Sequence, residues 1–353
     1  MKKIGFVLPG PKYRPTGGYK IIFDYANYLA ANGYEIVILY DCRYFLNRFH
    51  IKPKFVKSII AKSFLKKTHW IKLEPNITSH IIFSEKAIDT LGLDLVFASA
   101  VRTTELVRLV GHNVRKGYLI QGFENWDIED KVVYDSYNLD FYNITVAKWL
   151  YNLVKQNASS NKLFCCPNGI DLQKFRIIND IKERFHHSIA FLYHTQKVKG
   201  LEFLIPNISK WKSYYPNLIV NAFGSFKRPK ELPDFVNYTA FANEDDLLRI
   251  YNSSAIFICS SLEEGFGLTG AESMACGCAL ITTDTNGCRE YADESNSIII
   301  PAGDTDAIFE AVLLLLNDEE KRITLATNGH QDIQKFSLQK ARKCFLDIVQ
   351  SII

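Results

Sequence analysis

The chain has 353 residues, of which 47% are apolar and 23% charged, with a net charge of +4. That is the balance of an ordinary globular protein, long enough for two domains of about 170 residues each and too weakly basic for a dedicated nucleic-acid binder. No apolar run reaches the ~18 residues of a membrane-spanning helix, and the eight cysteines form neither a CxxC pair nor a histidine cluster at metal spacing.

In chain order, the basic start is followed by an apolar run that Pro9 breaks. The run is shorter than the ~7–15 apolar residues of a secretory signal, so residues 4–8 read as a first strand. The cysteines then read as buried, reduced thiols of a cytoplasmic protein. After the loop Arg14-Pro-Thr-Gly-Gly18 comes a helix with apolar Ile21, Ile22, Tyr25, Ala26 and Leu29, stopped by Gly33. The amides of Gly17 and Gly18 open that helix and can approach a phosphate, although a Gly-Gly turn without a ligand has the same letters. Residues 35–40, 94–98, 118–121 and 144–147 read as further strands.

Between Arg43 and Lys67 lie Arg48, Lys52, Lys54, Lys57, Lys62 and Lys66 with no acidic residue, interleaved with Phe45, Phe49, Phe55, Ile59, Ile60, Phe64 and Leu65. Such a segment suits an anionic membrane surface. It equally suits a solvated helix whose apolar side packs on its own domain, and both readings stand. Gln121-Gly-Phe-Glu-Asn-Trp126 follows a strand and combines a carboxylate, amides and an aromatic ring. Glu124 and Trp126 are therefore the acceptor-side candidates.

At Cys166-Pro-Asn-Gly-Ile-Asp171 the chain turns sharply. The boundary goes there, giving domains over 1–167 and 168–335 and a C-terminal helix over 336–353. A second series of strands follows at 188–193, 218–223, 255–259, 279–283 and 297–300, with helices between. This alternation is the pattern of parallel sheets built from βα units. Directly after the first of these strands, His194-Thr-Gln-Lys-Val-Lys-Gly200 sets Lys199 at the strand end.

After the strand at 255–259 comes Ser260-Ser-Leu-Glu-Glu-Gly-Phe-Gly-Leu-Thr-Gly-Ala-Glu272. Gly265 and Gly267 let the backbone pass close to a ligand, and the helix that starts near Gly270 offers amides and a dipole to a phosphate. A carboxylate accepts two hydrogen bonds, so Glu264 suits a sugar ring and Glu272 the hydroxyls of a ribose. The letters Gly265-Phe-Gly-Leu-Thr-Gly270 also fit the dinucleotide pattern GxGxxG, with an acid, Asp284, about 20 residues on at a strand end. Against that reading, Glu263 and Glu264 abut the turn and repel a pyrophosphate, and the unit lies deep in the second domain. Asp304-Thr-Asp306 spells DxD, but Asp304 reads as a helix N-cap.

The run from Glu264 to Leu268, with Glu272 and then Met274-Ala-Cys-Gly277, resembles the EGFGLxxxE signature of family 4 glycosyltransferases. Asn168-Gly-Ile-Asp171 and Lys199-Gly200 match that family as well. Pro15-Thr-Gly-Gly18 and Asp24-Tyr-Ala-Asn27 match it more loosely, and His194 stands where the family commonly has arginine. The resemblance implies an α/β GT-B protein: two Rossmann-like domains facing across a cleft, with the last helix crossing back to the first. It implies that Glu264 meets the sugar, Glu272 the ribose, and the amides of Phe266, Gly267 and Leu268 the sugar and phosphates. Lys199 with His194 would clamp the diphosphate, and Gly17 and Gly18 would approach it from the first domain.

The expected activity is retaining transfer, without metal or cofactor, from a nucleotide-diphosphate sugar to a glycan or lipid-linked glycan. Bacterial capsule and lipopolysaccharide enzymes, rhamnosyltransferases included, look similar. Two rivals remain: a nucleotide-sugar-binding partner without turnover, suggested by His194, and an NAD-dependent oxidoreductase. The expected location is the cytoplasm, with peripheral membrane contact through residues 43–67 if the basic segment serves that end.

Overall fold

A computed structural model describes residues 1–12, 14–45, 47, 53–66, 70–126, 128–159 and 161–353. Arg48, Phe49, Lys52 and Lys67 of the basic segment lie outside the described residues. The chain divides into two units, Met1–Asn168 with Lys340–Ile353, and Gly169–Gln339.

The first unit alternates strand and helix: β1 (Lys3–Leu8), α1 (Gly17–Ala31), β2 (Glu35–Asp41), α2 (Lys54–Lys66), β3 (Thr78–Ile82), α3 (Lys86–Asp89), β4 (Leu95–Ala98), α4 (Val101–Arg108), β5 (Arg115–Ile120), α5 (Asp130–Tyr137), β6 (Tyr142–Thr145), α6 (Lys148–Asn157) and β7 (Leu163–Cys165). Among the described residues these strands form a parallel sheet in the order β3-β2-β1-β4-β5-β6-β7. The central strands are apolar along nearly their whole length, because helices cover both faces of such a sheet. Ile4, Phe6, Val7 and Leu8 of β1 and Leu95, Val96 and Phe97 of β4 are wholly buried.

The second unit repeats the scheme: β8 (Ser188–Leu192), α7 (Leu201–Tyr214), β9 (Ile219–Gly224), β10 (Asn237–Ala240), α8 (Glu244–Asn252), β11 (Ile256–Cys259), α9 (Leu268–Ala275), β12 (Ala279–Thr283), β13 (Ser297–Ile300), α10 (Thr305–Asn317) and α11 (Glu319–Ile333). Its parallel sheet runs β10-β9-β8-β11-β12-β13. Ile189 and Phe191 pack with Leu204, Ile208 and Trp211 of α7 and with Val312 and Leu315 of α10.

The last helix, α12 (Leu338–Ile352), packs in the first unit. Phe345 stacks on Tyr25 at 4.2 Å and tilts against Phe6 and Phe97, while the Arg342 guanidinium pairs with Asp24 through Nε at 3.0 Å and through Nη2. All eight cysteines are free thiols, six of them buried.

Candidate functional site

In the second unit β8 and β11 lie side by side, and the order of strands reverses between them. Open α/β sheets bind ligands outside the carboxyl ends of the strands at such a reversal. Here β8 feeds the turn 194–200 and β11 the turn 260–267, so the two turns emerge as neighbours. Hydrogen bonds tie them together. Leu262 N–H donates to the Val198 carbonyl at 2.7 Å, and Ser260 Oγ donates to the Lys199 carbonyl at 3.0 Å. Gly200 makes that approach possible: its φ is 62°, and a Cβ there would stand 1.9 Å from the Ser260 carbonyl oxygen.

This brings Lys199 and Glu264 into contact, 2.7 Å between Nζ and Oε1, with both side chains largely buried. The same Oε1 accepts from Ser261 Oγ at 2.7 Å, and Ser261 is steadied in turn by Thr283 Oγ1, which donates to its carbonyl. Burial pulls the Lys199 ammonium down, but the charge and hydrogen bond of Glu264 outweigh it and hold the pKa above the ordinary lysine value. Lys199 is thus a fixed cation rather than a proton donor.

The turn runs straight into α9. Gly267 has φ 82°, and a Cβ would stand 2.7 Å from Tyr291 OH. That hydroxyl donates to the Gly267 carbonyl at 2.7 Å. Phe266 is buried against Tyr291 and Phe336, with ring centroids 5.4 and 5.8 Å away, which anchors the turn through its side chain. Ala271 N–H is the one that bonds back to Gly267, so the amides from Leu268 to Gly270 stand ahead of the helix's own ladder. Those groups and the helix dipole favour an anion. Glu272 lies one turn on, only 4% exposed, with Tyr251 OH donating to Oε2 at 3.3 Å. His194 Nδ1 accepts from Gln196 N–H at 3.1 Å, which assigns the proton of a neutral ring to Nε2, and the ring meets Phe226 edge-on at 5.8 Å.

The acids of the two competing patterns have local partners. The GxGxxG letters follow β11, the fourth strand of the unit, whereas dinucleotide folds carry them after the first. Asp284 pairs with Arg289 at 2.7 and 3.1 Å. Asp304 Oδ1 accepts from Ala307 N–H at 2.9 Å and caps α10.

The first unit has its own reversal, between β1 and β4. Thr16 is extended and makes no side-chain cap, and Gly17 opens α1. Gly18 faces Gln121, whose Oε1 would stand 3.2 Å from a Cβ there. Gln121 Nε2 donates to the Ser99 carbonyl at 3.3 Å. Glu124 Oε2 accepts from Val101 N–H at 2.9 Å, where α4 begins. Burial pushes the Glu124 carboxyl up to about 7 against the opposing pull of that bond and of Arg102 and Lys12. Trp126 is 53% exposed.

The structure therefore joins Lys199, Glu264 and the start of α9 in one place and sets Glu272 in the helix behind it. Ser260, Ser261, Tyr251 and Gln121 are partners that the sequence reading did not single out. The two serines sit inside the signature stretch, where their position was a usable signal. Gln121 opens the stretch 121–126 but was given no role there, and Tyr251 acts through packing between elements, which leaves no local pattern.

Residues 182–332 match the family described as Glycosyl transferases group 1. The capsular polysaccharide biosynthesis glycosyltransferase CapM of Staphylococcus aureus is 28% identical over 205 residues, covering 53% of this chain and 54% of CapM. The N,N'-diacetylbacillosaminyl-diphospho-undecaprenol alpha-1,3-N-acetylgalactosaminyltransferase of Campylobacter jejuni is 28% identical over 109 residues, covering 31% of this chain and 29% of that protein. The chain spans about half or less of the length of the curated relatives it matches. Anabaena HepE in complex with UDP and glucose superposes with a TM-score of 0.76 at 15% identity, over 99% of this chain and 100% of HepE. That likeness shows the fold: two Rossmann-like α/β domains of the GT-B class, the second bearing the group 1 match.

Proposed function

We propose that this protein is a retaining glycosyltransferase of the family 4 kind, moving a sugar from a nucleoside-diphosphate donor to a hydroxyl of a glycan or lipid-linked glycan in bacterial surface polysaccharide synthesis. The observation that carries the reading is the buried Lys199–Glu264 pair at the ends of β8 and β11, beside the first amides of α9. CapM's part in capsule synthesis and the undecaprenol-linked acceptor in the Campylobacter enzyme's name support the acceptor class. HepE's UDP and glucose support the donor class. The reading places the protein in the cytoplasm; among the described residues no helix is long and apolar enough to cross a membrane.

As the bond from the anomeric carbon to the phosphate oxygen breaks, negative charge grows on the departing diphosphate. Lys199 and the α9 amides meet that charge, and a placed donor of this kind contributes about 3–4 kcal/mol in the transition state. In this reading they take the role that a metal ion has in other transferases. Glu264 gives Oε1 to Lys199 and Ser261 and offers Oε2 to sugar hydroxyls. The acceptor oxygen bonds to the anomeric carbon on the face the phosphate leaves, and its proton passes to a phosphate oxygen, so configuration is retained. Glu272 serves the ribose, with His194 Nε2 as a further phosphate contact.

The test is a thermal-shift screen of UDP-, GDP- and dTDP-sugars, dTDP-rhamnose included, followed by transfer assays that read the anomeric product. Lys199→Ala is expected to lower kcat about 10²–10³-fold with a small change in donor affinity. Glu264→Ala is expected to lower mainly kcat, and Glu272→Ala to weaken donor binding. Donor binding with neither transfer nor hydrolysis would replace this reading by that of a binding partner. Tight NAD binding without nucleotide-sugar binding would replace it by that of an oxidoreductase.

A further inference from the structure

Helix α2 has two faces, set apart by its 3.6-residue period. On one lie Lys57, Ala61 and Phe64. Lys57 and Ala61 are buried, the Lys57 ammonium donates to the Arg43 carbonyl at 3.2 Å and to Asn47 Oδ1, and the Phe64 ring meets Phe45 edge-on at 5.6 Å. That face fastens the helix to the first unit.

Phe55, Ile59, Lys62 and Lys66 fall on the opposite face. Phe55 is 76% exposed, Ile59 52% and the adjoining Val56 38%. Single apolar side chains at a surface need no explanation, but a contiguous cluster marks an interaction site. Along the chain, the charge on either side of this cluster has one sign. Lys54, Lys62 and Lys66 are exposed, and neither aspartate nor glutamate occurs from Arg43 to Lys67. Apolar side chains flanked only by lysines are the composition of a helix lying in a lipid headgroup layer. A second copy of this chain would set lysine against lysine.

We propose that α2 docks the first unit on an anionic lipid surface, with Phe55, Val56 and Ile59 entering the headgroup boundary and Lys54, Lys62 and Lys66 pairing with lipid phosphates. This goes beyond the transfer reading and does not depend on it, since docking needs neither donor nor acceptor.

The experiment is flotation of the full chain with vesicles of phosphatidylcholine alone, or of phosphatidylcholine and phosphatidylglycerol in equal parts. Binding is expected to the anionic vesicles, at least about tenfold weaker to the neutral ones, and reversed by salt. Phe55→Ser with Ile59→Ser should weaken partitioning at least about tenfold through the lost apolar contact. Lys62→Gln with Lys66→Gln should weaken it about twenty-five-fold, or fivefold per lysine. These positions lie on the exposed face of the helix, so the melting curve by circular dichroism should be unchanged; if the apolar pair fails to fold, the lysine pair still decides. Equal binding to both vesicles, no binding, or both variants binding as the parent does would overturn the proposal. So would a dimer in sedimentation that Phe55→Ser with Ile59→Ser dissolves while vesicles stay unbound, which would assign the face to a second copy.

Discussion

Glu124 shows how one side chain can carry a pH dependence of the whole fold. Its carboxyl is raised from the ordinary 4.5 to about 7 by burial, so the folded chain holds a proton there that the unfolded chain has lost. Between those values the unfolded state binds fewer protons, and stability falls as pH rises. The shift corresponds to roughly 1–3 kcal/mol once the half-buried position is allowed for. Glu124→Gln keeps an oxygen for the Val101 N–H and removes the ionisation. Urea unfolding from pH 4.5 to 7.5 is expected to show a shallower loss of stability in this variant than in the parent, and parallel curves would rule the effect out. Glu124 stood out in sequence through the aromatic and amide company it keeps. Its bond to Val101 did not, because the two meet only when β4 and β5 pair. Lys199 and Glu264 repeat the lesson: both stand out in sequence, but their contact spans 65 positions and exists because β8 and β11 are neighbours.

At the scale of elements, the strands readable from sequence are mainly those in the middle of the two sheets. They are buried on both faces, so an unbroken apolar run marks them. β3, β7 and β10 escaped notice, and all three are sheet edges. β3 reads Thr-Ser-His-Ile-Ile, exposed over its first three residues, and β10 reads Asn-Tyr-Thr-Ala with both ends exposed. An edge strand has a neighbour on one side and partial cover, so its letters need not be apolar. The helix α12 was expected from the sequence, whereas its partner residues were not: Phe345 enters a cluster of Phe6, Tyr25 and Phe97 drawn from three early elements. Phe345→Ala is expected to cost about 3–5 kcal/mol by removing a buried ring that its neighbours cannot replace. Chemical denaturation measures it, and a loss below 1 kcal/mol would mean that α12 adds little to the first unit.

At the scale of the molecule, each unit has its own parallel sheet and core, so ligand effects should be local before they are global. If the proposed donor binds at the ends of β8 and β11, a concentration of a hundred times its Kd adds about 2.7 kcal/mol to the native state. Hydrogen exchange should then slow first in peptides from 194–200 and 260–275, and protection confined to the first unit would place the donor elsewhere. By itself the sequence determined the α/β class, the two-part division near Asn168 and the glycine-and-glutamate turn, because each is written in a contiguous stretch: apolar runs, a Pro-Asn-Gly turn, a short motif. The tertiary structure alone decided which strands adjoin, what Glu124 and Glu272 bond to, and which face of α2 meets water. Those depend on elements brought together across dozens of residues, where a local pattern carries no record of its partner.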